Sequence, residues 1–223
     1  MKVGQHDMIL FGSSLSPFVR KVLVFAAEKG IEMDVRPTGR GDPDPEFARA
    51  SPFRKMPALI DGDFTLSDST AIVHYLEAVQ PDPELIPVDP RERGRTIWFD
   101  EFSDTILFAA GAKMFFNRIV APVFLKREGD TELADRAERE ELPPLLDYLE
   151  TVVPDAGSFL VGNRLTLADI SVASPFANLG HMGCALDPQR HGRVCAYVEA
   201  VLARPSFASL VERERAILEK ARA

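Results

Sequence analysis

Short apolar runs alternate with helix-like patterns over the first eighty residues. The predicted elements are strands at 8–11, 31–36, 57–60 and 64–66 and helices at 17–29, 46–50 and 68–79. Pro17 suits a first helical turn because its missing N–H would be unsatisfied there, and Gly30 suits the helix end. Asp61-Gly62 between apolar runs is typical of a hairpin, and Ser67 is the expected cap of the last helix. This order predicts a mixed four-stranded sheet, with the first two strands parallel and the last two antiparallel.

The pattern of apolar and polar residues changes after residue 80. Residues 81–90 contain four prolines, which cannot continue a helix, so we place a domain linker there. Beyond the linker the apolar positions have helical spacing, and the predicted helices lie at 91–117, 131–152, 166–180, 190–203 and 206–220. Thr166 and Asp169 resemble a capping box at one helix start. The pattern therefore predicts an α/β domain at 1–80, a linker at 81–90 and an all-α domain at 91–223.

Composition narrows the class of protein. The net charge of −8 argues against non-specific nucleic-acid binding, which needs a basic face. We see no signal-peptide pattern and no run of the roughly 18 apolar residues that a membrane-spanning helix needs, so no membrane partner is expected. The only cysteines, Cys184 and Cys195, lie late in the chain, which favours a reducing, cytoplasmic setting. Neither the cysteines nor the histidines have metal-ligand spacing, so no metal is expected.

Three segments carry candidate chemistry. They are Ser13, Ser14 and Ser16 before the first helix, Lys55, Met56 and Pro57 before the third strand, and Asp68 and Ser69 at the third helix. Ser16 abuts Pro17 at a helix start, where free N–H groups and the helix dipole favour negative charge. A hydroxyl there can donate a charge-assisted hydrogen bond to an anion. The simpler interpretation of Ser16 is an N-cap, worth about 1 kcal/mol.

Together these segments resemble the thioredoxin-like half of a glutathione S-transferase. The proline-rich linker, the all-helical second half and the segment 165–170 are similar to the same family, so the resemblance covers nearly the whole chain. It assigns no class within the family. It implies a thioredoxin-like α/β domain followed by an all-α domain, in a cytosolic, serine-type enzyme of detoxification. It also implies a homodimer and glutathione as co-substrate.

The resemblance implies that Ser16 is the catalytic residue. Its hydroxyl would hold the glutathione sulfur as a hydrogen-bond donor, not as a nucleophile, with Ser13 and Ser14 as rivals for that contact. A free thiol has a pKa of about 8.5, so an enzyme that uses the thiolate must stabilise it. Members that work by thiol–disulfide chemistry carry a cysteine at this position. No cysteine occurs before Cys184, so that mechanism lacks its nucleophile here.

The resemblance also implies how the rest of glutathione is bound. The implied binding residues are Ser14, Lys55, Met56, Pro57, Asp68 and Ser69. The Met56 backbone would pair with the cysteinyl part, presented by Pro57 as a cis-proline. Asp68 and Ser69 would bind the γ-glutamyl end, and Lys55 would reach the glycyl carboxylate. Each has an ordinary alternative, since Lys55 could be a solvated charge, Pro57 a turn proline, and Asp68 or Ser69 a helix cap.

The second substrate is expected to lie against the helical half. Candidate lining residues are Leu15, Phe108 and Phe115, with Met114 and Phe116 also considered, although most of these side chains could simply pack the helix core. Lys113 and Asn117 could face either a pocket or solvent.

The leading hypothesis is a glutathione transferase that attacks a small apolar electrophile. Members of the same fold family also catalyse isomerase, lyase and glutathione-dependent disulfide reductase reactions, and these stay as alternatives. A non-catalytic glutathione-binding interaction protein is the alternative from another class.

Overall fold

The four-stranded sheet lies at the centre of the first of two units. The computed structural model describes residues 8–39 and 41–222, and the units meet in sequence between Ile86 and Pro87. The strands are β1 (Ile9–Phe11), β2 (Asp34–Arg36), β3 (Ala58–Asp61) and β4 (Phe64–Ser67). Their order is β2-β1-β3-β4, with β1 parallel to β2 and antiparallel to β3, and β3 antiparallel to β4. The predicted mixed sheet is therefore confirmed, although β2 begins three residues later than expected.

Three helices accompany the sheet in this unit. They are α1 (Pro17–Glu28), α2 (Pro45–Ala50) and α3 (Ser69–Val79). The predicted cap of α3 was wrong by one residue. Ser67 is still paired with Ala58 in the β-ladder, so the next residue, Asp68, becomes the cap and accepts a hydrogen bond from the Ala71 N–H at 3.1 Å.

A buried lysine fixes the chain that leaves α3. The Lys29 side chain has no exposed surface, and its ammonium lies 2.7 Å from the Glu77 carboxylate. It also donates to the Gln80 carbonyl at 2.6 Å and the Pro83 carbonyl at 2.7 Å. The residue after α1 therefore holds the segment that follows α3. Sequence reasoning missed this role because a lysine at a helix end usually lies in water.

Every regular element that the structure describes in the second unit is a helix. Its elements are α4 (Pro90–Glu101), π1 (Phe102–Leu107), α5 (Phe108–Phe115), π2 (Phe116–Phe124), α6 (Thr131–Arg136), π3 (Ala137–Glu141), α7 (Leu142–Val152), α8 (Leu167–His181), α9 (Gly192–Leu202) and α10 (Pro205–Arg222). The capping box is present at the start of α8, where the buried Asp169 carboxylate accepts from the Thr166 N–H at 2.9 Å and the Tyr197 hydroxyl at 2.7 Å.

The first long helix of this unit extends beyond its predicted end at 117. From Pro90 to Phe124 the helical run is continuous, and it passes through Pro122. Proline has no N–H to donate, but π2 has wider turns in which the Leu125 N–H reaches the Val120 carbonyl at 3.0 Å. The run is long and apolar enough to cross a membrane by length and composition, a test that core helices of globular proteins also pass.

Candidate functional site

Three connections leave the sheet at the same end. In the β-ladders, Ala58 pairs with both Phe11 and Ser67. Phe11 is the last residue of β1, Ala58 the first of β3 and Ser67 the last of β4. The turn after β1, the Met-Pro segment before β3 and the start of α3 therefore converge there. All three predicted glutathione-binding segments of the first unit lie at this end of the sheet.

Gly12 lets the turn after β1 pack closely. Its φ is +148°, and a Cβ built there would lie 2.6 Å from Val19 Cγ2 and 3.4 Å from Met56 Cβ. The first distance is shorter than side chains tolerate, so this close approach requires glycine. It places the serine-containing turn beside the Met56 segment.

Ser16 lies at the N-terminus of α1. Its N–H donates to the Ser13 carbonyl at 2.9 Å, and its own carbonyl accepts from the Arg20 N–H at 2.9 Å. The Ser16 hydroxyl makes no capping hydrogen bond and finds no other partner among residues 8–39 and 41–222. The Ser13 hydroxyl instead accepts from the Leu15 N–H at 3.4 Å. Ser16 is therefore the N-cap residue of α1 by position, but its half-buried hydroxyl makes no capping bond and is available to a ligand.

The Met56–Pro57 peptide bond is cis, the geometry that the resemblance implies. Pro57 is buried and Met56 is half-buried. Within the described part of the chain, neither the N–H nor the carbonyl of Met56 has a hydrogen-bond partner. The Lys55 side chain is exposed, whereas its backbone is held by Ser51. A backbone donor and a backbone acceptor are thus available at Met56 for an extended peptide ligand.

The start of α3 is tied to the same segment. The Asp68 N–H lies 3.4 Å from the Pro57 carbonyl. Asp68 has a φ of +87°, an unfavourable backbone conformation for a non-glycine residue. Ser69 is the first residue of α3 and is only 3% exposed. A carboxylate ligand at this helix start would meet the positive end of the helix dipole.

A second buried lysine was missed by sequence reasoning. Lys21 in α1 is 1% exposed, and its ammonium donates to the Thr70 hydroxyl at 3.2 Å. It therefore joins the helix that starts at the serine turn to the first turn of α3. The available signal was a charge pair, Arg20-Lys21, inside the apolar run that predicts α1. Both members are buried.

The proposed second-substrate residues are divided between the two units. Leu15 is buried in the first unit, and Phe108 and Phe115 are half-buried in α5 of the second. Met114 is fully buried, so the idea that it lines a pocket was wrong and it belongs to the core of the second unit. The pocket itself stays a prediction.

Lys113 and Asn117, which the sequence left open, are both committed to internal contacts. The Lys113 ammonium lies 2.6 Å from the Glu141 carboxylate. The Asn117 side chain donates to the Lys113 carbonyl at 2.8 Å and accepts from the Asp130 N–H at 2.9 Å. Asn117 therefore fixes the turn that leads into α6.

The cysteines offer no activated thiol. Burial raises the pKa of Cys184 to about 11, with a further contribution from the Glu138 carboxylate and an opposing one from Arg118. Burial also raises the pKa of Cys195. A nucleophilic cysteine needs the opposite shift. Among residues 8–39 and 41–222, no group of three His, Cys, Asp or Glu side chains is arranged to hold a metal ion.

Comparisons with known proteins match both units to one family. Residues 10–84 match the model of the glutathione S-transferase N-terminal domain, and residues 115–214 match that of the C-terminal domain. Human glutathione S-transferase theta-1 is 30% identical over 180 residues, covering 78% of this chain and 74% of the relative. The structure of human glutathione S-transferase T1-1 without ligand superposes with a TM-score of 0.81 at 26% identity, covering 96% of this chain and 90% of the other.

One relative of similar length is not named as a glutathione transferase. The stringent starvation protein A homolog of Coxiella burnetii is 27% identical over 213 residues, covering 95% of each chain. The chain belongs to the glutathione S-transferase superfamily, and at the level of the family the relatives support a glutathione transferase.

Proposed function

We propose that the protein is a glutathione transferase that uses Ser16 to stabilise the glutathione thiolate for attack on a small apolar electrophile. The observation that carries this proposal is the Ser16 hydroxyl, half-buried at the start of a 12-residue helix and unused by any cap. The hydroxyl donates to no acceptor in the described part of the chain, so a hydrogen bond to a ligand sulfur would replace no bond seen there.

Two effects at this helix start would lower the pKa of a bound thiol. The hydroxyl donates a charge-assisted hydrogen bond, worth about 1.5–3 kcal/mol, to the anion alone. The positive end of the α1 dipole adds a favourable potential of about 0.3–1 kcal/mol. The thiol proton leaves to solvent. The sulfur lone pair then forms the new S–C bond as the leaving group departs with its electron pair, or as the electrons move onto an electron-poor acceptor.

The remaining contacts would hold the tripeptide. The free Met56 N–H and carbonyl would pair with the cysteinyl backbone, and Asp68 and Ser69 would take the γ-glutamyl end. Lys55, exposed beside them, would meet the glycyl carboxylate. Leu15, Phe108 and Phe115 remain the proposed contacts of the electrophile. The proposal extends to a cytoplasmic homodimer without a metal, and light scattering that gives the monomer mass would refute the dimer.

A titration of the ultraviolet thiolate absorbance of bound glutathione tests the chemistry directly. Ionisation well below about pH 8.5, the value for a free thiol, is the expected result. Saturable binding with ionisation at the ordinary pH of a free thiol would contradict thiolate activation and favour a reductase or a non-catalytic binding protein. Absence of glutathione binding would refute the proposed function altogether.

The second candidate function is a non-catalytic interaction role. Similarity to the stringent starvation protein A homolog over 95% of each chain favours it, since that relative is not named as a transferase. One assay distinguishes the transferase from the interaction role. Glutathione binding without turnover of any electrophile or model disulfide supports the interaction role, whereas turnover that is lost in Ser16→Ala supports the transferase.

A further inference from the structure

Ser51 lies just outside the proposed glutathione site and holds its backbone. It is 1% exposed and follows the last residue of α2. Its N–H donates to the Phe47 carbonyl at 2.8 Å, and Phe47 is a fully buried member of the core beside β3. Ser51 is therefore fixed to the rigid part of the unit.

One side chain satisfies both backbone groups of Lys55. The Ser51 hydroxyl donates to the Lys55 carbonyl at 2.7 Å and accepts from the Lys55 N–H at 2.9 Å. A third bond, from the Arg54 N–H to the Ser51 carbonyl at 2.9 Å, closes the turn between them. Arg54 has a φ of +52°, a conformation that these bonds hold against its intrinsic cost. Ser51 thus fixes the path of the chain from the end of α2 to Lys55.

The next residue, Met56, differs from Lys55 in its backbone hydrogen bonds. The Lys55 backbone is fully used inside the protein, whereas the Met56 backbone has no partner among the described residues. The turn therefore determines which peptide unit is free to pair with a ligand. If the hydroxyl were absent, the Lys55 groups would also be unpaired and the segment could rotate.

We propose that Ser51 is a positioning residue, whose hydroxyl locks Lys55 so that the Met56 backbone is presented to the cysteinyl part of glutathione. This inference rests on the proposed function. It assigns Ser51 to substrate affinity and leaves thiolate activation to Ser16, since both bonds of the Ser51 hydroxyl are made to the Lys55 backbone.

The test compares Ser51→Ala with Tyr75→Phe. Tyr75 donates to Asp61 at 2.7 Å, and Asp61 is at the opposite end of β3, so this isosteric variant removes one hydroxyl bond from the same unit away from the site. Glutathione affinity is measured by calorimetry, the pKa of the bound thiol by ultraviolet titration, and turnover by steady-state kinetics. Ser51→Cys, which preserves volume but has a weak donor, is measured alongside in case the alanine variant does not fold.

We expect Ser51→Ala to weaken glutathione binding about tenfold, the effect of losing one or two ordinary hydrogen bonds. KM for glutathione rises, while kcat and the pKa of the bound thiol stay at the wild-type values. Ser51→Cys weakens binding in the same direction, and Tyr75→Phe changes it less than twofold.

Three results would overturn the inference while the proposed function stood. These are wild-type affinity in both Ser51 variants, an equal loss in Tyr75→Phe, or a thiol pKa that rises together with the loss of affinity. Failure of the wild-type protein to bind glutathione would instead remove the proposed function, and the positioning role with it.

Discussion

At the scale of single residues, the Ser16 hydroxyl is the group on which the proposed chemistry depends. We expect Ser16→Ala to raise the pKa of bound glutathione towards about 8.5 and to lower kcat/KM about 10- to 100-fold, because a hydrogen bond to a charged group is worth about 1.5–3 kcal/mol. Glutathione affinity measured below the thiol pKa changes little, since the neutral thiol gains little from the donor. Ser14→Ala tests the rival hydroxyl, and a rise in the thiol pKa there, with none in Ser16→Ala, would assign the sulfur contact to Ser14.

Cys184 gives a second prediction at this scale. Because burial raises its pKa to about 11, the neutral thiol persists through pH 8–10 and only the small thiolate fraction reacts. In Cys195→Ser, which leaves one cysteine in the chain, alkylation by iodoacetamide at pH 8 is expected about 100-fold slower than for a free thiol. The rate should continue to rise with pH until about 11. A plateau near pH 8.5 in the folded protein would contradict the buried environment.

At the scale of elements, the turn between π2 and α6 depends on Gly129. A Cβ there would lie 2.0 Å from the Asn117 carbonyl oxygen, and the other near atoms are also backbone. We expect Gly129→Ala to lower the free energy of unfolding by about 3 kcal/mol, because the clash cannot be relieved by a side-chain rotation. Urea denaturation of the wild-type protein and of Gly129→Ala measures this difference in the free energy of unfolding.

The control for that substitution lies in α4. Gly94 is exposed, and a Cβ there would meet nothing within 4 Å. Gly94→Ala should therefore stabilise the protein by about 0.5–1 kcal/mol through its helix preference. Equal destabilisation by the two substitutions would show that the clash with Asn117 is not the cause.

The elements also show what sequence patterns can predict. Short apolar runs and the connections between them predict β1 to β4 and their pairing directions, since a helix between two strands favours parallel pairing and a tight turn favours antiparallel pairing. They do not predict that the helix passes through Pro122, which depends on the wider turn of π2. The serine turn, the Met-Pro segment and Asp68-Ser69 could be found from order and spacing. Ser51 could not, because its role depends on two backbone bonds that only the folded turn creates.

At the scale of the whole molecule, the Lys29 contacts stabilise the C-terminal end of the first unit. We expect Lys29→Met to lower the free energy of unfolding by about 3–5 kcal/mol, because it leaves the Glu77 carboxylate without its buried partner. The double variant Lys29→Met/Glu77→Gln removes that unpaired charge and should recover part of the loss. Equal instability of the single and double variants in urea denaturation would contradict this electrostatic explanation.

The single tryptophan of the chain, Trp98, lies in α4. Its indole N–H donates to the Tyr148 hydroxyl at 3.1 Å, and its ring lies 6.5 Å from that of Phe102. All three aromatic residues belong to the second unit. Tryptophan fluorescence, excited where Tyr75 of the first unit does not absorb, therefore reports on the second unit alone, whereas far-ultraviolet circular dichroism detects the helices of both. Superimposed melting curves from the two signals would mean that the sheet carrying the proposed glutathione site melts together with the helices. An earlier dichroism transition would isolate the melting of the site itself without any label being introduced.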